Sequence, residues 1–101
     1  MKSSELRLDM NNPIFQEQLF SLPKQGQAGV LSSLRKLSKM TWEQVYRDAG
    51  IRWEVILSRS GPRGQRLYGL RLGKGFRGVA YREREWMRLL SLHPDHDSAY
   101  K

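Results

Sequence analysis

Residues 66–93 constrain the fold most. They read as three strand-length segments joined by very short turns, and so short a link permits only antiparallel pairing, because a parallel crossover needs about a dozen residues or more. Residues 66–72 place Tyr68, Leu70 and Leu72 on one face and Arg71 on the other. Gly73-Lys74-Gly75 is a tight hairpin turn. In the next segment Arg77, Val79 and Tyr81 share a face, and Glu83-Arg84-Glu85 turns the chain again. Residues 86–93 then alternate Met87, Leu89, Ser91 and His93 against Trp86, Arg88, Leu90 and Leu92. A fourth strand is expected just upstream, with Trp53, Val55 and Leu57 as its apolar face against Glu54, Ile56 and Ser58. Ser60-Gly61-Pro62-Arg63-Gly64 follows it as a flexible basic loop.

The first half of the chain reads as helix. Residues 1–11 form a polar lead with weak structure. Asn12-Pro13 is a helix start, with Asn as N-cap and Pro at the first helical position. Pro23 ends that helix. A second helix is expected over residues 25–39, where Val30, Leu31, Leu34 and Leu37 make one apolar stripe. The two would pack as an antiparallel hairpin joined at Pro23. Thr41-Trp42-Glu43-Gln44 has the spacing of a capping box, so a third short helix is expected from Trp42 to Ala49, stopping at Gly50. The expected architecture is therefore α+β: a helical layer over residues 12–50 packed on an antiparallel sheet over residues 51–93, with residues 94–101 as a functional tail. A sheet of four strands in one domain of 101 residues leaves one face open.

Composition narrows the function. The chain has no cysteine, which excludes a disulfide framework, a thiol nucleophile and a thiolate metal site. Its apolar runs are too short to span a membrane, and the polar N-terminus lacks the apolar stretch of a signal peptide, so a cytoplasmic location is expected, with no membrane partner. Lys and Arg number 18 against 10 Asp and Glu, a formal net charge of +8. The excess is local. Residues 59–84 hold Arg59, Arg63, Arg66, Arg71, Lys74, Arg77, Arg82 and Arg84 against Glu83 alone. Arg presents a planar fork that grips phosphate through two hydrogen bonds. Such a surface suits a polyanion, by phosphate neutralisation and counterion release, or an acidic protein; the bland alternative is a solvated face.

Both histidines, His93 and His96, fall in one short window with Asp95, Asp97 and Tyr100. Three readings are open. The His and Asp side chains could ligate a metal. They could be surface residues, with an Asp capping a last turn. Or His and Tyr could move protons in phosphodiester cleavage, since a His of ordinary pKa about 6.5 serves as base or acid and Arg stabilises the charged phosphate. The last reading needs no metal and no cofactor.

The segment Leu67-Tyr68-Gly69-Leu70-Arg71-Leu72-Gly73-Lys74-Gly75-Phe76-Arg77-Gly78-Val79-Ala80-Tyr81, with the late His93, His96 and Tyr100, resembles the RelE/ParE superfamily of bacterial type II toxins. The resemblance covers residues 14–39 by pattern and 66–101 by motif; residues 41–65, with Trp42, Trp53 and the Gly-Pro loop, depart from it. It implies a helical hairpin on a small antiparallel sheet. It also implies a metal-independent endoribonuclease that cleaves mRNA, free or on the ribosome, and is neutralised by an acidic cognate antitoxin. By position it assigns catalysis to His96, His93, Tyr100 and Arg77, with Arg71 beside Arg77 on the scissile phosphate; the basic hairpin segment itself adds Lys74, Arg82, Arg66 and Tyr81 as further substrate-binding candidates. Some members inhibit DNA gyrase, so a non-catalytic module that binds nucleic acid or gyrase is the alternative.

Overall fold

The computed structural model describes residues 5–94. The elements run β1 (Arg7–Asp9), α1 (Pro13–Phe20), α2 (Lys24–Leu37), α3 (Trp42–Arg47), β2 (Glu54–Ser60), β3 (Arg66–Arg71), β4 (Arg77–Glu83) and β5 (Trp86–His93). The helix starts follow the local chemistry. Asn12 Oδ1 accepts the N–H groups of Ile14 and Phe15 at the head of α1. Thr41 and Gln44 close a reciprocal capping box on α3. That helix ends at Arg47, short of the expected Ala49, because Asp48 Oδ1 accepts the N–H groups of Gly50 and Ile51 and draws the backbone out of the helix.

The five strands form one sheet in the order β1-β5-β4-β3-β2. The four expected strands pair antiparallel, and β1 adds to β5 in parallel, so the sheet is mixed. This corrects the expectation of a weakly structured lead at residues 7–9. β1 is short and polar, and its cause is tertiary: Arg7 N–H donates to the Glu85 carbonyl, Asp9 binds Arg88 at 2.7 Å, and Leu6 enters the core. A helical hairpin is not what positions α1, which packs chiefly on β5 through Phe15 and Leu19 and touches α2 little. α1 has only one buried face, and the sheet takes it.

The main core lies between the helices and the sheet. It contains Phe15, Val30, Leu34, Leu37, Trp42, Val45, Leu70, Leu72, Ala80, Met87 and Leu89. Leu31 belongs to the expected α2 stripe but is half exposed. Along β5 the expected alternation breaks. A bulge between Val79 and Ala80 of the β4 register leaves Leu90 without a direct partner, so Leu92 joins Met87 and Leu89 in the core while Ser91 and His93 face away. β2 also differs from expectation. Ile56, not Val55 or Leu57, is buried, because its partner Leu67 and then Val79 form a second small cluster on the face away from the helices. Leu57 is 90% exposed at the sheet edge. The face away from the helices is therefore not bare: it combines this cluster with a polar end. No described helix is long and apolar enough to cross a membrane.

Candidate functional site

The polar end of that face is built by the β3–β4 turn. Leu72 N–H donates to the Phe76 carbonyl across the turn, and Gly73 and Gly75 take φ of 69° and 88°, values that side chains rarely allow. Gly73 also needs space: a Cβ there would stand 3.0 Å from the backbone of Gly29 and Val30 on α2. Its N–H donates to Ser33 Oγ at 2.7 Å, so the turn is seated directly on the helix. The loop before β2 joins from the other side, where Arg71 N–H donates to the Ile51 carbonyl at 2.7 Å.

These supports gather Arg52, Arg71, Lys74 and Arg77 around one cleft of about 820 Å³, completed by Gly73, Gly75, Phe76 and Pro94. No carboxylate lines it among the described residues. Arg52, Arg71 and Lys74 are exposed, whereas Arg77 is only 5% exposed and forms the floor. Its Nη2 lies 3.4 Å from the Arg52 carbonyl and 3.6 Å from Glu54 Oε1. Glu54 is also 3.5 Å from Arg52, so one carboxylate holds two guanidiniums in place. A cleft with four cationic side chains and one peripheral carboxylate can bind a phosphate or sulfate group, with Arg71 and Lys74 as the reachable donors.

His93 stands directly opposite Arg77 in the β4–β5 ladder, so the two share a face. Its Nε2 is 2.9 Å from Ser91 Oγ, which orients the ring, and His93 does not itself line the cationic cleft. His93 and Pro94 also line a smaller cavity of about 320 Å³ against α1, which shares Phe76 and Pro94 with the cationic cleft. Arg71, Lys74 and Arg77 are thus brought together in the cleft, with His93 next to Arg77 on the neighbouring strand. His96 and Tyr100, and with them the tail carboxylates Asp95 and Asp97, lie outside the described residues.

Three of the expected binding residues stand elsewhere. Arg82 is on the helix side of the sheet, its guanidinium 4.4 Å above the Trp42 ring and its Nη1 donating to Tyr46 Oη at 2.6 Å. Odd and even positions of a strand face opposite ways, and Arg82 differs in parity from Arg77. Tyr81 shares the Arg77 face but lies about 13 Å along the strand, opposite Arg88. Arg66 is at the far end of β3, about 17 Å from Arg71 along the strand. Two site residues escape sequence reasoning. Arg52 reaches the cleft through a positive φ of 56° that no motif announces, and Glu54 is read only as the polar side of a strand. Phe76, by contrast, is legible as the aromatic that follows the glycine turn.

A second arginine cluster carries a different electrostatic pattern. Arg88 bonds Asp9 at 2.7 Å and Glu83 at 3.0 Å. Burial alone would raise the Asp9 carboxyl, but the hydrogen bonds from Arg88 and the Asn11 backbone together with the Arg88 charge outweigh it and hold Asp9 below the ordinary carboxylate value. The Asp9 hydrogen bond raises Arg88 above its ordinary value, against the effect of burial.

No protein-family model matches the sequence, and no curated protein sequence matches it either. Among solved structures the chain is similar to an archaeal RelE–RelB complex from Pyrococcus horikoshii OT3, with a TM-score of 0.56 over 91% of this chain and 94% of that one. Sequence identity across that match is 21%, and the likeness is one of fold: the chain has the RelE fold.

Proposed function

We propose that the chain is a toxin-like, metal-independent endoribonuclease acting on mRNA, free or ribosome-bound. The observation that carries the reading is the convergence of Arg52, Arg71, Lys74 and Arg77 on one cleft with His93 on the same face. In-line cleavage of RNA has three needs. A base takes the ribose 2′-OH proton, cations stabilise the pentacoordinate phosphate, and an acid protonates the departing 5′-oxygen. Arg71 and Lys74 would hold the phosphate, with Arg77 and Arg52 deepening the positive potential from the floor and rim. His93, on the same face as Arg77, is the described histidine able to move a proton near that phosphate, and His96 and Tyr100 are the candidates for the opposite step. Arg82, Arg66 and Tyr81 are left out of the phosphate site by their positions. The similar fold was solved together with RelB, which supports a protein partner here as well; the net charge of +8 calls for an acidic one, an antitoxin covering the cleft.

The test is cleavage of a defined mRNA by purified protein in EDTA, with and without ribosomes. Cleavage in at least one condition, lost in both His93→Ala and Arg77→Ala, is expected. Binding without cleavage, unchanged by His93→Ala, would instead mark a non-catalytic module.

A further inference from the structure

Among the described residues no Lys or Arg lines the cavity between α1 and the end of β5. It holds about 320 Å³ and is lined by Glu17, Gln18, Ser21, Phe76, His93 and Pro94, with two leucines behind them. Phe76 and Pro94 also line the cationic cleft, so the two cavities are separated by one apolar wall. A volume of that size, with an apolar wall and a few polar groups at the rim, fits a flat heterocycle. A nucleotide strand whose phosphate occupies the cleft would bring its neighbouring base to this wall.

We infer that this cavity receives one nucleobase of the bound RNA, and that Glu17 selects guanine. The inference rests on the phosphate-cleft reading above and adds the base that the site reads. Single-stranded RNA is read by apposition to aromatic side chains and by hydrogen bonds to the Watson–Crick edge. Phe76 and Pro94 supply the apolar surface. Glu17, Gln18, Ser21 and His93 supply the polar side, and Glu17 is the acidic residue among them, an exposed carboxylate that accepts hydrogen bonds only. Guanine offers two adjacent donors on that edge, N1–H and the 2-amino group, which match the two oxygens of a carboxylate. Adenine and cytosine each offer one amino donor beside a ring acceptor that the carboxylate repels, and uracil offers one imide N–H between two carbonyls. Gln18 acts on the backbone instead, where its Oε1 accepts the Leu92 N–H at 2.7 Å and so anchors His93 and Pro94 to α1. Ser21 Oγ donates to the Glu17 carbonyl, leaving the Glu17 side chain uninvolved in that bond.

The experiment uses the full chain and fluorescein-labelled heptamers UUUXUUU, with a 2′-O-methyl ribose at X so that no cleavage can occur there, read by fluorescence anisotropy. Wild type is expected to bind X = G about tenfold tighter than X = A, the size of one bidentate contact. Glu17→Gln should erase most of that preference while leaving binding of X = U within about twofold. Arg71→Ala should weaken all four heptamers alike, since it acts on phosphate. Equal wild-type affinity for all four bases, with the Arg71→Ala loss intact, overturns the base pocket and leaves the phosphate cleft standing. A G preference that survives Glu17→Gln overturns the role of Glu17. Absence of any Arg71-dependent RNA binding overturns the cleft and the pocket together. Guanosine 5′-monophosphate should compete at least about tenfold less well than the X = G strand, because it lacks the flanking phosphates; equal competition would make a free nucleotide the ligand and overturn the strand.

Discussion

Arginine stands in two opposite electrostatic settings in this molecule. At the β1–β5 edge, Arg88 is divided between Asp9 and Glu83, and Arg7 lies 3.7 Å from Glu85 and 3.9 Å from Glu5. Each charge there meets its opposite, and the sum holds the short parallel strand to the sheet. At the β3–β4 turn, four cations line a cleft that has no carboxylate among the described residues, and Glu54 serves two of the four from behind. The residue type is the same; the ratio of acid to base is not. An arginine whose carboxylates are already in place has little left to give a ligand, whereas a cluster that keeps like charges close carries a standing repulsion that an anion relieves. Position on the sheet, rather than abundance of basic residues, separates the cationic cleft from the paired edge.

Arg71→Ala puts this contrast at greatest risk. Arg71 is exposed on the cleft side and its own backbone, not its side chain, bonds Ile51. RNA cleavage should fall about 10²-fold, the loss that follows removal of one transition-state donor, and the thermal midpoint should not move. A fall in stability with unchanged cleavage would place Arg71 with the structural set. Next in size is Gly73→Ala. The left-handed φ and the 3.0 Å approach to Gly29 and Val30 together should cost about 2 kcal/mol in urea unfolding. Cleavage should fall as well, because the displaced turn carries Lys74 and Arg71 with it. A turn that tolerates alanine would show that α2 does not seat the cleft. At the other edge, Asp9→Asn should cost about 1 kcal/mol and leave cleavage unchanged, since Asp9 lies outside the cleft.

The two regions also differ in how much of them the sequence reveals. The β3–β4 hairpin is legible because its signals are local: alternation of period two, a Gly-Lys-Gly turn, and Arg71 and Arg77 at fixed parity about it. The caps at Asn12 and Thr41 are legible for the same reason. β1 is not, because Arg7–Asp9 has no apolar alternation and is a strand only through partners at residues 85–88. The faces of β5 invert at a bulge that leaves no mark in composition, so Leu92 reads as opposite to Met87 and Leu89 yet joins them in the core. Arg82 stands away from the cleft, and a count of basic residues could not show it, because such a count ignores which face each one takes; Trp42 and Tyr46, distant in sequence, decide its place. Arg52 fails because its route to the cleft is a backbone conformation, not a motif. The cleft is thus half visible in the sequence: the part made by one hairpin, without the part that a second loop and a helix bring to it.

The smallest expected effect separates the two regions most cleanly, because it is read as a slope. Asp9 titrates below its ordinary value when folded, so the unfolded chain binds its proton first as acid is added. The stabilisation from the Asp9–Arg88 pair is therefore complete above the ordinary carboxylate value of about 3.9, and it is lost as pH falls through the lower, folded value. Urea midpoints taken at pH 7 and at steps below pH 4 should show wild type and Asp9→Asn converging in acid, with the gap between them widest at neutral pH. Asp48 is also held low by the Gly50 N–H, against burial and with help from the Ile51 N–H and Lys36, so wild type keeps part of its acid slope in the variant; the difference between the two proteins isolates Asp9. The same pair of proteins should give superimposable RNA-cleavage profiles across that range of stability, wherever both remain folded. A gap that stayed constant with pH would mean that the parallel strand is held by its backbone and by Leu6 alone, and that its charges are no more engaged than those around the cleft.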